Sequence, residues 1–511
     1  MKCKFIVFFI GLFVLSGLVN AEKLALIKIT PEKRLEAAQM NIQMYHDFKV
    51  VLLVKLDNKL EQTIQTKGWQ YEILDQNLAS DEYFLVYKVG LGKSSYPGKF
   101  LFDSERSTLV RMSESEALRA KTQGFEMRLL HDQSLQIEEP TEEFFIPRHD
   151  SLVQQMVQAV SLDSLLTTLR RLQNYGTRYT YSRKCDTAAW YLRDRLVAYS
   201  LPTVYDIYLA GTQRDTSYNV IATITGQVQP ESIVIICGHF DSYSNTPYTS
   251  APGADDNGTG TAVVIEAARI LSRYRFRWTI KFVAFSGEEQ WMLGSYHWVD
   301  SVAVPQQLKI GGAYNFDMIA YTAYDSTRMY VNRNTASTPL AVLAESANVQ
   351  YDIGLNLINY LDEDCAGDNT PFWEHGYKAV FALEDTEWGI WNGSNPHYHT
   401  THDTIGILRL GQVLRGAKLG VACVAAMAGP IGLNTINENT NLSKEQLKQF
   451  PTIMHGVINI LGNKSLDLYN ITGKKVYTLK SGNNNVLHLA PGIYFIRQDQ
   501  NKHTTKIILQ H

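Results

Sequence analysis

The sequence predicts an α/β protein built on a mixed, mainly parallel sheet covered by helices on both faces. A small α/β repeat domain precedes it and a small all-β module follows it. Three observations predict this. Residues 146–432 alternate continuous apolar runs with amphipathic helical segments, the pattern of strands buried on both faces. Residues 22–145 hold an internal repeat. Residues 453–511 carry short alternating strands separated by turn residues.

The chain has 511 residues, 45% hydrophobic and 19% charged, an ordinary globular balance. At roughly 150 residues per domain it holds several domains. A net charge of −3 offers no basic field for nucleic acid.

The chain opens as a signal peptide, residues 1–21. Lys2 and Lys4 precede the apolar run Phe5 to Val19, which falls short of the ~20 residues of a membrane span. Val19-Asn20-Ala21 offers compact residues for cleavage after Ala21. No later stretch is a long uninterrupted apolar run, so no membrane span is expected after signal removal. Cys185, Cys237, Cys365 and Cys423 are too sparse for a disulfide scaffold. Cys237 lies in an apolar strand and is expected as a buried thiol. One bridge, Cys185 with Cys365, is compatible with an oxidising compartment.

In residues 22–145, Val54-Lys55-Leu56, a helical stretch, Gly68-Trp69 and Ile73-Leu74 recur as Val110-Arg111-Met112, a helical stretch, Gly124-Phe125 and Leu129-Leu130. Each copy reads as strand, helix, glycine stop, strand. Lying between a signal peptide and the larger segment 146–432, this domain is expected as a propeptide or an accessory domain.

In residues 146–432, helices are expected at Asp163 to Tyr175, Asp186 to Tyr199 and Thr261 to Leu271. Strands are expected at Val220 to Ile224, Ile233 to Cys237, Ile280 to Phe285 and Ala313 to Phe316. Residues 433–452 are polar, Asn-rich and read as a linker. Beyond them, strands are expected at Ser465 to Tyr469, Lys475 to Leu479, Val486 to Leu489, Ile493 to Gln498 and Thr504 to Leu509.

The strand ends carry the chemistry. In open α/β sheets, sites form beyond the carboxyl ends of strands. Ile233 to Cys237 runs into Gly238-His239-Phe240-Asp241, with Asp241 spaced to accept the second N–H of the His239 ring. Glycines with Asp255 and Asp256 precede the helix at Thr261; alone, this is equally a turn and helix cap. Ile280 to Phe285 ends in Glu288-Glu289, adjacent carboxylates that a divalent cation would reconcile, one ligating and one acting as general base. Asp317 ends the next strand. Asn395 to Asp403 packs three histidines into a loop. Imidazole and carboxylate ligands without thiolate suit a hydrolytic zinc site, or manganese or cobalt.

These motifs resemble the secreted co-catalytic zinc aminopeptidases of bacteria, a metallopeptidase family that also holds glutaminyl cyclases and glutamate carboxypeptidases. The resemblance covers about residues 150 to 430. It rests on GHFDS (238–242), APGADDNGTG (251–260), FSGEEQWMLGS (285–295), NFDMIA (315–320), GDNTPFWEHGY (367–377) and YHTTHDT (398–404). It implies a sheet of about eight strands flanked by helices. It implies two zinc ions per chain, one on His239 and Asp317 and the other on Glu289 and His399, with Asp256 bridging. Glu288 would be the general base, Tyr398 an oxyanion donor and Asp241 the support of His239. Peptides with a free N-terminus would be the substrates. Family members often carry Ser-Asp-His where this chain has Gly367-Asp368-Asn369, a departure that bears on substrate fit.

The same resemblance leaves a glutaminyl-peptide cyclotransferase and a carboxypeptidase as alternatives, separable by metal count and substrate. A non-enzymatic binding protein is disfavoured because all five ligands and the base are present. Trp291, Met292, Phe372, Trp373, Trp388 and Trp391 lie near the motifs as candidates for an apolar side-chain pocket.

The last residues resemble the C-terminal sorting domain of the type IX secretion system, through LDLYNITGKKV (466–476), LAPGIYFIR (489–497) and TTKIIL (504–509). This implies secretion machinery as a partner and a secreted or outer-surface location.

Overall fold

The computed structural model describes residues 22–78, 82–88, 96–134, 148–211, 216–322, 327–362, 365–384, 395–433 and most of 453–510. The expected signal peptide, the boundary near 145, the linker, Trp388 and Trp391 lie outside the described residues. The chain divides into two compact units, residues 1–434 and 435–511.

The larger unit holds an eight-stranded sheet. Its order runs Thr203–Tyr208, Ser217–Ile224, Trp278–Phe285, Gln229–His239, Lys309–Phe316, Ala379–Leu383, Arg328–Arg333 and Asn356–Leu361. The central four strands, from Trp278–Phe285 to Ala379–Leu383, are mutually parallel; antiparallel neighbours flank them. The four therefore end at one edge, which gathers His239, Ser286 to Glu289, Asp317 and Glu384.

Alternation along these strands feeds two cores. Val234, Ile236, Phe282 and Phe316 face one apolar layer. Ile233, Ile235, Cys237, Val283 and Phe285 face the other. The first layer takes the long helices Ser151–Gln158, Leu162–Gln173, Arg183–Ala198, Gly260–Leu271, Thr338–Gln350 and Leu410–Ala428. The second is covered by shorter elements, Leu293–Trp298, Val299–Ala303 and Thr370–Glu374. Among the described residues, Leu410–Ala428 is the one helix long and apolar enough to cross a membrane. It packs against Gly260–Leu271 and Ser151–Gln158 and is mostly buried, so its hydrophobicity is that of a core helix.

The expected Cys185–Cys365 bridge is not formed. All four cysteines described are buried, and no disulfide joins them among the described residues. Cys185 belongs to the first layer and Cys365 to the second, so the sheet separates them. Phe372 and Trp373, candidates for a pocket, are packed in the second layer with Trp298 and Phe285.

Both copies of the N-terminal repeat form the elements their pattern predicts. The first supplies Val51–Leu56, helix Asn58–Thr66 and Tyr71–Asp75. The second supplies Ser107–Arg111, helix Glu114–Thr122 and Met127–Leu129. Gly68 and Gly124 end the helices at φ 66° and 79°, a conformation that favours glycine. Each copy contributes to its own antiparallel sheet. The first runs Tyr71–Asp75, Lys23–Lys28, Val51–Leu56, Gln43–Asp47, Gln133–Ser134. The second runs Lys99–Asp103, Ser107–Arg111, Tyr83–Tyr87, Met127–Leu129. Four strands of the first sheet, with helices Pro31–Gln39 and Asn58–Thr66, make the split β-α-β-β-α-β arrangement.

The C-terminal unit is all-β. Ile453–His455, Thr504–Gln510, Gly492–Arg497, Leu466–Asn470 and Lys475–Leu479 form one sheet. Val457–Ile460 pairs with Gly482–Asn485. The strand expected from Val486 thus lies earlier. Asn484 donates to the carbonyls of Ile458 and Lys480, and Val486 sits in the core instead.

Candidate metal centre

His239, the last residue of its strand, is fully buried. Its Nε2 lies 3.3 Å from Asp256 Oδ1 and 3.3 Å from Asp317 Oδ1. Glu288 Oε2 is 3.9 Å away. The ring's Nδ1 faces Asp241, 3.2 Å from its carbonyl and 3.4 Å from Oδ1. Asp241 in turn accepts the Thr180 hydroxyl at 2.6 Å and the backbone N–H groups of Glu288 and Glu289 at 3.3 Å. One carboxylate therefore orients the His239 ring and sets the turn that presents both glutamates.

A second cluster adjoins the first. His399 Nε2 lies 3.2 Å from Asp256 Oδ2 and 3.0 Å from Glu289 Oε2. Asp256 is common to both, one oxygen turned to each imidazole. His239, Asp256, Asp317 and Asp256, Glu289, His399 are each compact enough to surround one cation. The structure brings together all five residues expected as ligands. Glu288 stands beside them with its side chain 17% exposed. The Tyr398 ring stacks on His399 at 3.7 Å.

The donor atoms fit a divalent cation. His239 Nε2, Asp317 Oδ1 and Glu289 Oε1 are buried without a hydrogen-bond partner. Buried polar atoms are nearly always paired, so orphans converging in one place mark a site for a ligand. Proximity of these groups also raises several of their pKa values. Burial would lower the His239 pKa, but Asp317 and Glu288 outweigh it and raise it well above the usual range. Burial likewise opposes His399, yet Glu289 and Asp256 push it up to about 10. Burial raises Asp317 to about 6 and, with neighbouring carboxylates, drives Glu288 well above its ordinary value.

Several supports were not evident in the sequence. The loop carrying Asp256 is held by Asp403, which accepts the N–H groups of Asp255 at 2.8 Å and Asp256 at 3.0 Å. Asp255 and Glu384 both accept from Tyr321 N and Asn395 Nδ2, and burial raises the pKa of each. Gly260 follows because a Cβ there would stand 1.9 Å from the Phe316 carbonyl. Arg178, fully buried, donates to the carbonyls of Phe240 and Pro252 at 2.6 Å and Gly253 at 2.7 Å. It ties the loop after His239 to the loop before Asp256. Asp368 and Asn369 are buried; Asn369 Nδ2 faces the Cys365 thiol at 3.3 Å rather than the centre. Burial raises Asp368 to about 7.

Trp291, three residues beyond Glu288, belongs to a core made by the N-terminal domain, with Phe84, Val110, Ala117 and Phe125. From that domain Lys121 reaches the centre and bonds Glu289. No pattern around Lys121 distinguishes it from other helix-end lysines, and only the docking of the domain reveals it.

Two carboxylate–imidazole clusters sharing one aspartate thus lie at the carboxyl edge of a mixed α/β sheet, each compact enough to hold a metal ion. Residues 219–421 match the model of peptidase family M28. Residues 450–510 match the model of the secretion system C-terminal sorting domain. Over 211 residues the chain is 30% identical to aminopeptidase YwaD of Bacillus subtilis, covering 41% of this chain and 44% of that protein. It is 26% identical over 291 residues to a probable zinc metalloprotease of Leptosphaeria maculans, covering 47% and 67%. The chain thus spans less than half the length of the first relative. The crystal structure of the Legionella pneumophila LapA aminopeptidase shares the fold, with a TM-score of 0.55 at 20% identity over 68% of this chain and 98% of that one.

Proposed function

We propose that this protein is an exported zinc exopeptidase that removes N-terminal residues from peptides. The observation that carries the reading is the shared Asp256, with one oxygen toward His239 and one toward His399. In this reading His239, Asp317 and Asp256 hold one zinc ion, and Glu289, His399 and Asp256 a second. Bound there, zinc supplies Lewis acidity toward a peptide carbonyl and lowers the pKa of a water molecule.

The chain's own groups do the rest. Glu288 takes the proton of the attacking water and delivers it to the leaving amine. Its carboxylate lies 3.9 Å from His239 Nε2, beside the ligands rather than among them. Burial keeps the Tyr398 phenol protonated, so its O–H is available as a donor to the developing oxyanion. Asp241 holds His239 and both glutamates in register. The family match of residues 219–421 and the names of the relatives support hydrolysis and zinc. The sorting-domain match supports export by secretion machinery that reads residues 450–510, to the medium or the outer surface.

The test is metal analysis of the full chain and of residues 146–432, with assays on aminoacyl, N-terminal Gln and C-terminal substrates. Two zinc ions per chain and release of N-terminal residues are expected. One metal with cyclisation of N-terminal Gln would replace the reading with a cyclotransferase.

A further inference from the structure

Helix Glu114–Thr122 of the N-terminal domain lies against the metal centre and is held at both ends. Glu114 Oε1 accepts the Tyr181 hydroxyl at 3.0 Å. At the other end, Lys121 Nζ donates to the Glu289 carbonyl at 2.6 Å and to Glu289 Oε2 at 2.9 Å. The same ammonium stands 4.7 Å from the centre of the Tyr243 ring. Ala117 and Ala120 face the domain's own core, and Lys121, one turn after Ala117, emerges at the edge of that face.

The surroundings fix this docking. Trp291 is inserted into the N-terminal core, with its ring 5.4 Å from Phe84. Buried Arg128 and Gln133 reach Glu374 Oε1 at 3.2 and 3.3 Å, and Tyr296 donates to Glu374 Oε2 at 2.8 Å. Arg106 pairs with Asp362 at 3.0 Å. Polar contacts and the apolar insertion of Trp291 thus join the domain to the sheet-bearing segment.

We propose that Lys121 occupies the subsite that receives the α-ammonium of a substrate, and that the N-terminal domain thereby closes the enzyme in cis. This rests on the exopeptidase reading given above. A lysine ammonium and a peptide's α-ammonium are the same chemical group, a unit positive charge with three N–H donors. The site offers that group a carbonyl, a carboxylate oxygen and an aromatic face, the set a desolvated cation needs. Glu289 Oε2 meets both the ammonium, at 2.9 Å, and His399 Nε2, at 3.0 Å, while Oε1 stays without a hydrogen-bond partner. The carboxylate can therefore serve a cation through Oε1 while Lys121 remains in place. Nζ sits at the end of a side chain and brings no scissile peptide bond, so Lys121 fills the subsite without being a substrate.

The test compares two ligands on the zinc-loaded full chain and on Lys121→Met. Leucine hydroxamate carries an α-ammonium; 4-methylpentanohydroxamate is the same molecule without it. Calorimetry reads the ratio of their dissociation constants. In the unaltered chain the ratio is expected near one, because the subsite is filled. In Lys121→Met the amine-bearing ligand is expected to bind at least about tenfold tighter than its counterpart, the scale of a charge-assisted hydrogen bond. Equal ratios in the two proteins would overturn the proposal. So would a variant that takes up metal the full chain does not, since Lys121 would then only balance charge in the ligand set. Lys121→Gln serves if the methionine variant fails to fold. Hydrolysis of an aminoacyl anilide by the variant tests the exopeptidase reading separately: a shifted ligand ratio without turnover would remove that reading while leaving the ammonium subsite.

Discussion

The guanidinium of Arg178 donates Nη2 to the carbonyl of Gly253 at 2.7 Å, from a position sealed from solvent. With its bonds to Phe240 and Pro252, it serves three carbonyls, of which that of Gly253 also accepts the Gly258 N–H at 3.0 Å. Each buried carbonyl left bare costs about 1–3 kcal/mol. Arg178→Met is therefore expected to destabilise the larger unit by more than about 3 kcal/mol, read by denaturant unfolding. Zinc affinity should fall with it, because the two ligand-bearing loops lose their tie.

Glu288 lies 3.9 Å from His239 Nε2 and belongs to neither cluster. Glu288→Gln should leave metal content unchanged and lower kcat by about 100- to 10,000-fold relative to the same form of the unaltered chain. Metal analysis and steady-state kinetics check it; near-normal turnover would remove Glu288 as the base.

Asp256 is the one residue both clusters share. Asp256→Ala should lower metal content at both positions together. Loss confined to one metal, measured by elemental analysis after dialysis, would show that the clusters load independently of Asp256.

The metal-free centre has a defined pH response. His399, at about 10, and His239, also raised, lie above the ~6.5 of an unfolded histidine. Protonation of the two rings thus stabilises the metal-free fold fully below about pH 6.5. That stability is lost as pH rises through the folded values toward 10. Denaturant unfolding of zinc-stripped protein should show falling stability between pH 6.5 and 10. Zinc affinity should rise over the same interval, because the cation no longer displaces those protons.

Cys185 and Cys423 are buried in one layer and Cys237 and Cys365 in the other, with no disulfide among them. A thiol reagent should react with none of them in the native protein and with all of them after unfolding without reductant. A pair that fails to react would indicate a bridge.

Much of the fold was legible because buried strands and amphipathic helices leave periodic traces. Ile233 to Cys237 and Ile280 to Phe285 lie inside observed strands, and Gly68 and Gly124 end observed helices at positive φ. Thr203–Tyr208 and Asn356–Leu361 were not legible. They are sheet edges with mixed exposure, where pairing with a neighbour outweighs local pattern. The C-terminal strand Gly482–Asn485 was missed for a related reason: its Asn-rich sequence pairs through the backbone and lacks a hydrophobic signal.

The sequence by itself determined the residues of the candidate centre. Imidazoles and carboxylates placed just after apolar runs must emerge at strand ends, and parallel strands bring those ends to one edge. Tertiary structure alone decided what holds and what covers them. Arg178, Asp403 and Glu384 act through contacts between distant segments. The cysteines are divided by a sheet whose faces no local pattern reveals. Lys121 meets Glu289 only because an entire domain docks over Trp291, a relation set by the packing of two surfaces.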